Sequence, residues 1–289
     1  MLCQCMGAHF YGACEYHRSE SLKEGGDILK KYLLKCRLLL LPSLLGVALF
    51  YVFPYIRVIY YSLIENQFSK KFVGLKNYLA VLQNTYFRLA LRNSLFLIII
   101  AVPMLVAAAF LLSILLLKMK GRWKLLRIAF IFPMLVPTAS LVVIWRTLFG
   151  MEGSAMPVYL LFIYKNIGLL VILFSAAFST LDHAVFEAAR IDGAHGLTMH
   201  RKVTLPLIYP TLLFVILIAV VYSFKVFRES YLYFGTSYPP DHSYTLQYYM
   251  NNHFFKLNYQ YLASGAVLTS LIIYLIVFVG VKLQKRYTL

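Results

Sequence analysis

The sequence predicts an all-α, polytopic membrane protein with six transmembrane helices. Three observations support this fold class: a mean hydropathy of +0.73, a charged fraction of only 13%, and charge-free apolar runs long enough to cross a bilayer. A water-soluble domain of 289 residues needs a charged surface that this composition does not supply. About 20 apolar residues span the ~30 Å hydrocarbon layer as a helix.

Six apolar runs are the candidate spans. They cover residues 38–56 with an extension over 58–63, then 93–117, 128–145, 159–180, 203–224 and 257–281. The fourth run is interrupted by Lys165, which we expect near an interface where its aliphatic stem lets the ammonium reach water. Prolines inside the runs, including Pro133 and Pro137, are compatible with packed membrane helices because neighbouring groups satisfy the freed carbonyls.

The basic residues predict the orientation. The formal net charge is +17, and most basic residues lie beside apolar runs, which favours lipid headgroups over nucleic acid as the partner. Placing both termini in the cytoplasm puts most lysines and arginines on the inner side, as the positive-inside rule requires. We therefore expect a cytoplasmic, partly disordered tail over 1–36 and one membrane domain over 37–289.

The tail contains three of the four cysteines, Cys3, Cys5 and Cys14. Together with His9 they lack the spacing of a zinc finger, so we predict reduced, unpaired thiols and no metal site.

A polar segment over residues 182–206 separates the fourth and fifth runs. Glu187, Ala188, Ala189 and Arg190 favour a helix, and Asp192-Gly193 is a turn signal. Residues 195–203 can form a second short helix, which Leu205-Pro206 is expected to end before the next span begins. The segment therefore predicts a rigid cytoplasmic elbow that another protein can grip.

The spacing in this elbow resembles the EAA motif of importer-type ABC-transporter permeases. The matching residues are Glu187, Ala188, Ala189, Gly193, Val203, Leu205 and Pro206, with valine at 203 where isoleucine is usual. FVGLKNY (72–78) and EAARIDGA (187–194) are similar to the carbohydrate-importing branch, and the short basic C-terminus resembles the larger permease subunit of maltose-type systems. The segment before the fourth run is shorter than this family's usual outer loop.

The resemblance implies a type I ABC importer permease fold and a set of partners. These are a second permease subunit in a heterodimer, two copies of a cytoplasmic ATPase, an extracytoplasmic solute-binding protein, a small-molecule sugar and membrane lipid. It also implies a bacterial or archaeal inner membrane and docking of the elbow residues, Arg190 and Asp192 included, into the ATPase. The chain has no GxxxxGK[ST] loop, so we expect it to be no enzyme, to bind no cofactor and to depend on ATP used by its partner.

Ionisable and polar groups at membrane depth are the candidates for the solute pathway. They are Tyr222, Lys225, Arg228, Glu229 and Asn166. Lys225 lies one helical turn from Arg228 and Glu229, so the three are expected to share roughly one face. The alternatives are interfacial anchoring with an intrahelical ion pair for the charged residues, and hydrogen bonding between helices for Asn166. For the aromatic residues crowded into 231–261 we expect an interfacial belt and a docking surface.

The sequence leaves the transported solute open. A carbohydrate is the main hypothesis, and a phosphorylated or acidic solute, such as glycerol phosphate or an acidic oligosaccharide, is the alternative because of Lys225 and Arg228. A membrane-embedded transferase is a third possibility, but it needs clustered catalytic groups at one membrane face. The acidic residues of the loops between spans are instead scattered over both faces.

Overall fold

A computed structural model of the chain describes residues 40–117, 123–150 and 153–287. The described residues are almost entirely helical, and their only extended pairing is an isolated bridge between Ile64 and Phe72. The chain divides into two units, residues 1–57 and 58–289. The predictions for the 1–36 tail and its cysteines fall outside the described residues.

Helices long and apolar enough to cross a membrane number five in the described parts of the chain, or six with one bent pair counted as a single span. They are span 1 (Leu40–Leu63), span 2 (Thr85–Leu117), the bent span 3 (Ala129–Leu135 with Thr138–Phe149), span 4 (Met156–Ser179), span 5 (Tyr209–Phe234) and span 6 (Tyr259–Tyr287). Span 1 contains a π-helical turn, Ala48–Val52. These helices confirm the predicted fold class.

Span 2 begins eight residues earlier than the apolar run, at Thr85 rather than residue 93. Asn84 provides the reason, because its Oδ1 accepts hydrogen bonds from the backbone N–H groups of Tyr86 (2.9 Å) and Phe87 (3.2 Å). Such a cap satisfies donors that the first helical turn leaves free. The helix therefore starts at the cap, outside the apolar run.

Span 3 is not the single helix that the sequence predicted. Its two halves meet at an angle of 105°, with the break at Val136 and Pro137. Pro137 has an extended backbone (φ −53°, ψ 132°), lacks an N–H and disfavours helical geometry for the valine before it. Pro133, in contrast, lies inside the first half, which runs from Trp123 to Leu135.

Span 4 begins at Met156, three residues before the predicted start, and ends at Ser179. It packs along spans 2 and 5 around fully buried side chains that include Leu105, Phe174 and Val215. Gly168 of span 4 lies against the backbone of span 3, where a Cβ would come within 1.7 Å of the Phe130 carbonyl oxygen. The first half of span 3 therefore contacts span 4 backbone to backbone.

The end of the bundle opposite the 182–206 elbow, called the far end below, has its own core. The helix Leu246–Phe255 packs on the start of span 2, and the short helix Lys76–Gln83 also contacts span 2 there. Tyr248 and Tyr249 are fully buried there, and Tyr249 meets Phe87 edge to face at 5.2 Å between ring centroids. The prediction of an interfacial belt is wrong for these tyrosines, because both are buried in a cluster inside the protein.

Candidate functional site

The first leg of the elbow is the helix His183–Ile191. Asp182 begins it, since its Oδ1 accepts a hydrogen bond from the Ala184 N–H at 2.9 Å. This cap separates the leg from span 4, which ends at Ser179. The predicted helix over residues 187–190 is thus part of a longer, independently capped helix.

The turn at Gly193 has the hydrogen bonds of a Schellman motif. The Ala194 N–H donates to the Ala189 carbonyl (2.9 Å) and the Gly193 N–H donates to the Arg190 carbonyl (3.0 Å). Gly193 has φ +82°, a left-handed conformation that residues with a Cβ rarely adopt. The glycine is therefore required by the backbone of the turn itself.

The second leg differs in detail from the prediction. It begins at Gly196, continues through a π-helical segment, His200–Thr204, and ends with Leu205–Leu207. Leu205-Pro206 does not stop it, because Pro206 occupies the first turn of a new helical segment, where the missing N–H has no cost. The chain bends at Ile208, and Tyr209 then begins span 5.

The motif residues at the tip of the elbow are accessible. Glu187, Ala188, Arg190, Asp192 and Gly193 are exposed, and Ala189 is half-buried. A Cβ placed on Gly193 would meet no atom within 4 Å. Within the described chain, this surface is free to receive a partner.

A cavity of about 210 Å³ lies between spans 3, 4 and 5. It brings together four of the five predicted pathway residues, Asn166, Tyr222, Lys225 and Glu229, and adds Met134, Phe162, Lys165 and Val226. Two lysines against one glutamate leave it with one excess positive charge.

Lys165 is the residue of this cavity that the sequence placed wrongly. Its Nζ pairs with Glu229 Oε1 and donates to Thr138 Oγ1 at 2.7 Å. The two charged side chains are 19% and 9% exposed. Lys165 is the tenth residue of span 4, which puts it roughly 14 Å along the helix at 1.5 Å per residue. Its ammonium is held inside the bundle by an acidic partner and not by water at the membrane surface, which the sequence suggested.

Glu229 has the opposite charge and bonds to Lys165 across the bundle. The intrahelical ion pair that the sequence offered as the alternative role of Glu229 is therefore not formed. Its second carboxylate oxygen, Oε2, is buried and accepts no hydrogen bond from the described residues. A buried acceptor without a donor is costly, so this atom is suited to a donor supplied by a bound molecule or by water.

Lys225 and Asn166 complete the polar lining. The exposed Lys225 ammonium lies over the Tyr222 ring, 5.4 Å from its centroid. Asn166 donates to the Phe162 carbonyl one turn earlier in its own helix (2.7 Å), and not to a second helix as the sequence suggested.

Arg228 does not line this cavity. Span 5 is interrupted by a turn over 224–226, and Arg228 lines a second cavity of about 670 Å³ beside Thr138. The predicted common face therefore holds for Lys225 and Glu229 and not for Arg228. Sequence spacing within one helix could not indicate the contribution of Thr138 and Lys165, because those residues come from two other spans.

Comparison with known proteins identifies the family. Residues 119–288, more than half of the chain, match the family described as binding-protein-dependent transport system inner membrane component. The arabinooligosaccharides transport system permease protein AraP of Bacillus subtilis (strain 168) is 26% identical over 278 residues, which cover 85% of this chain and 87% of AraP. The sn-glycerol-3-phosphate transport system permease protein UgpA of Yersinia pestis is 29% identical over 213 residues, covering 65% of this chain and 72% of UgpA.

A solved structure shares the fold. A chain of a bacterial ABC transporter involved in the import of the acidic polysaccharide alginate has a TM-score of 0.72 at 19% identity, covering 90% of this chain and 97% of that one. The same architecture is found in the alginate transporter in complex with an alginate pentasaccharide-bound periplasmic protein, with a TM-score of 0.71, 20% identity and coverage of 91% of this chain and 97% of that one. With its membrane-spanning helices and the family match, the chain belongs to the inner membrane components of binding-protein-dependent transport systems.

Proposed function

We propose that this chain is a permease subunit of an ATP-driven carbohydrate importer. It forms half of the translocation pathway together with a second permease, and it works with two copies of a cytoplasmic ATPase and an extracytoplasmic solute-binding protein. The elbow end faces the cytoplasm, as do both termini. The observation that supports this proposal most directly is the exposed elbow, a capped helix closed by a glycine turn.

The elbow is suited to transmit movement because it is short, rigid and connected directly to spans 4 and 5. An ATPase that grips Glu187 to Gly193 moves the inner ends of both spans when it closes on ATP. The cavity lies between those spans and span 3, so their displacement changes its access from one side of the membrane to the other. Such a switch between two packed arrangements is the usual form of alternating access.

The 210 Å³ cavity is the proposed part of the solute route. A sugar hydroxyl can donate to the free Glu229 Oε2, and other hydroxyls can accept from the Lys225 ammonium or the Asn166 amide. The excess positive charge favours the second candidate, a phosphorylated or acidic solute whose anionic group pairs with Lys225. Relatives named for arabinooligosaccharides and for glycerol phosphate are compatible with either class.

A co-purification experiment tests the elbow. We expect the wild-type chain to retain a second permease and an ATPase, and Gly193→Val to lose the ATPase while keeping the second permease. Gly150→Val is the matched control, because Gly150 also has a positive φ (+69°) and open surroundings, but lies at the far end. Normal transport by Gly193→Val, or equal loss of the ATPase in the control, would contradict the proposed role.

Uptake assays test the route and the solute class. A panel of neutral sugars, sugar acids and sugar phosphates is measured in the wild type, Lys225→Ala and Arg228→Ala. If Lys225→Ala loses the uptake of acidic solutes alone, Lys225 contacts the anionic group. If it loses the uptake of neutral sugars as well, Lys225 contacts solute hydroxyls in general. Unchanged uptake in both variants would remove both residues from the pathway.

A further inference from the structure

The short helix Lys76–Gln83 at the far end has an apolar stripe that no described part of the protein covers. Leu75, Leu79 and Leu82 are 67%, 59% and 46% exposed. At 100° per residue these three side chains lie within about 60° of one another around the helix axis. Three large exposed leucines on one face indicate that a second surface covers them.

The other two faces of this helix are already assigned. Asn77 and Val81 are buried against the bundle, and Lys76 and Gln83 form an exposed polar flank. The helix therefore meets three environments: protein, water and, on the leucine stripe, something apolar.

Hydrogen bonds fix the direction in which the stripe faces. The Asn77 amide donates to the Ser62 and Ile64 carbonyls, at 3.0 and 2.7 Å, at the end of span 1. Arg88 of span 2 donates from Nε to the Leu82 carbonyl (3.1 Å) and from Nη2 to the Gln83 carbonyl (2.8 Å), closing the C-terminal end of the helix. Rotation about the helix axis would break these bonds, so the leucines cannot turn inward.

The loop before the helix adds a second apolar group with basic neighbours. Its ends are joined by the Glu65 N–H to Lys71 carbonyl bond (2.8 Å), and Asn66 Oδ1 accepts from the Phe68 and Ser69 N–H groups at 2.9 and 2.7 Å. This ordered turn presents Phe68 with 98% of its surface exposed. Lys70 and Lys71, which come after Ser69, are exposed as well.

Connectivity identifies what covers these groups. The segment begins one residue after span 1 ends at Leu63 and finishes two residues before span 2 begins at Thr85, so both of its ends are held at the membrane boundary. An apolar stripe with one lysine beside it and two more in the preceding loop is the pattern of an interfacial amphipathic segment. Span 2 also has exposed apolar side chains, among them Phe96 and Ile99.

We propose that residues 64–83 bind the leaflet at the far end as an interfacial anchor. Phe68, Leu75, Leu79 and Leu82 insert at the boundary of the acyl chains. Lys70, Lys71 and Lys76 pair with phosphates of anionic phospholipids. The anchor fixes the depth of the junction between spans 1 and 2 in the bilayer, and it does not depend on which solute is transported.

Spin-label accessibility in lipid nanodiscs tests the insertion. Labels are placed on Leu79→Cys and Leu82→Cys of the full-length chain, purified with any co-purifying partners, after Cys3, Cys5, Cys14 and Cys36 have been replaced by serine. Labels on Lys76→Cys and Gln83→Cys serve as controls from the polar flank of the same helix.

We expect the leucine-position labels to be accessible to molecular oxygen and shielded from a water-soluble nickel chelate, and the control labels to be accessible to the chelate. Chelate access at Leu79 and Leu82 would show that water covers the stripe and would overturn the proposal. Shielding from both reagents would show that protein covers it, with the same consequence.

The lysines are tested separately by measuring the amount of anionic phospholipid that co-purifies with the chain. Replacing Lys70, Lys71 and Lys76 with glutamine is expected to lower its retention several-fold, because each loses an attraction to a lipid phosphate. A double replacement of Arg201 and Lys202, basic residues of the elbow, controls for the loss of positive charge in general. Unchanged retention in the triple variant would overturn the headgroup contact.

Discussion

Replacing Lys165 with methionine tests the ion pair that spans the cavity. The change removes the bond to Thr138 and leaves Glu229, only 9% exposed, without its ion-pair partner. Removing one member of a buried pair costs about 3–5 kcal/mol. Lys165 is 19% exposed, so we expect the low end of that range, about 3 kcal/mol.

The double replacement Lys165→Met with Glu229→Met is expected to recover most of this loss, because apolar replacement of a whole buried pair is often close to neutral. The assay is the midpoint of thermal unfolding in nanodiscs. At roughly 2–4 °C per kcal/mol for a chain of this size, the single variant should unfold about 6–12 °C lower than the wild type.

Lys225→Met is the matched control, since it removes a lysine from the same cavity whose observed contact is with a tyrosine ring. A cation–π contact at an exposed site is worth only about 0.5–1 kcal/mol, so its midpoint should shift by a few degrees at most. Equal destabilisation of the single and double variants would refute the reasoning, because it would mean that Glu229 gains nothing from Lys165.

Three further predictions concern glycine positions and pH. Gly168→Ala should lower the unfolding midpoint and the yield of folded protein, because the added Cβ would lie 1.7 Å from the Phe130 carbonyl oxygen. Gly280→Ala should be tolerated, since the Cβ there meets only a flexible leucine side chain, and similar yields for the two variants would contradict the close contact at Gly168. Gly193→Asn should keep the elbow intact and retain more ATPase than Gly193→Val, because asparagine adopts the left-handed conformation with less strain. Equal ATPase retention by the two variants would contradict this reasoning and would indicate that the ATPase tolerates no side chain at this position. Burial, together with the nearby charge of Lys256, lowers the pKa of His253. The unfolded chain therefore takes up a proton that the folded chain resists, and stability should fall as the pH drops below about 6.5. His253→Gln should flatten the dependence of the unfolding midpoint on pH between pH 5 and 7.5, and an unchanged slope would exclude this histidine as the cause.

The spans could be predicted from the sequence because the bilayer imposes a length and a composition on any helix that crosses it. The ends of the helices could not be predicted as well. Thr85 and the polar residues after it carry no hydropathy signal, yet the Asn84 cap extends span 2 through them. A side-chain cap acts through one or two hydrogen bonds, which an average over many residues does not detect.

The break in span 3 shows a second limit. Pro133 lies within a helix and Pro137 ends one, although both occur in the same apolar run. The outcome depends on what the surrounding helices provide. Thr138, at the start of the second half, accepts a hydrogen bond from Lys165 of span 4, a contact that no local pattern predicts.

The sequence drew attention to charged residues in the spans, but it did not indicate their partners. Helical periodicity relates Lys225 to Glu229, one turn away, whereas the observed ion pair joins Glu229 to Lys165, 64 residues earlier in the chain. Only the packing of three spans decides which charges meet. The elbow was more predictable, because its turn depends on a glycine and on local hydrogen bonds.

The bend in span 3 has a consequence for how the chain is made. Its halves, Trp123–Leu135 and Thr138–Phe149, are each too short to cross the bilayer alone. The second half is held by Trp145, whose indole N–H bonds to the Pro157 carbonyl (2.8 Å), and by Arg146, which bonds to the Tyr233 carbonyl 87 residues further on (2.7 Å). During synthesis at the membrane, the third segment therefore lacks the Arg146 contact until that later stretch has emerged. We therefore expect insertion to be cooperative over the central segments of the chain, with the third segment settling only when the later ones are in place.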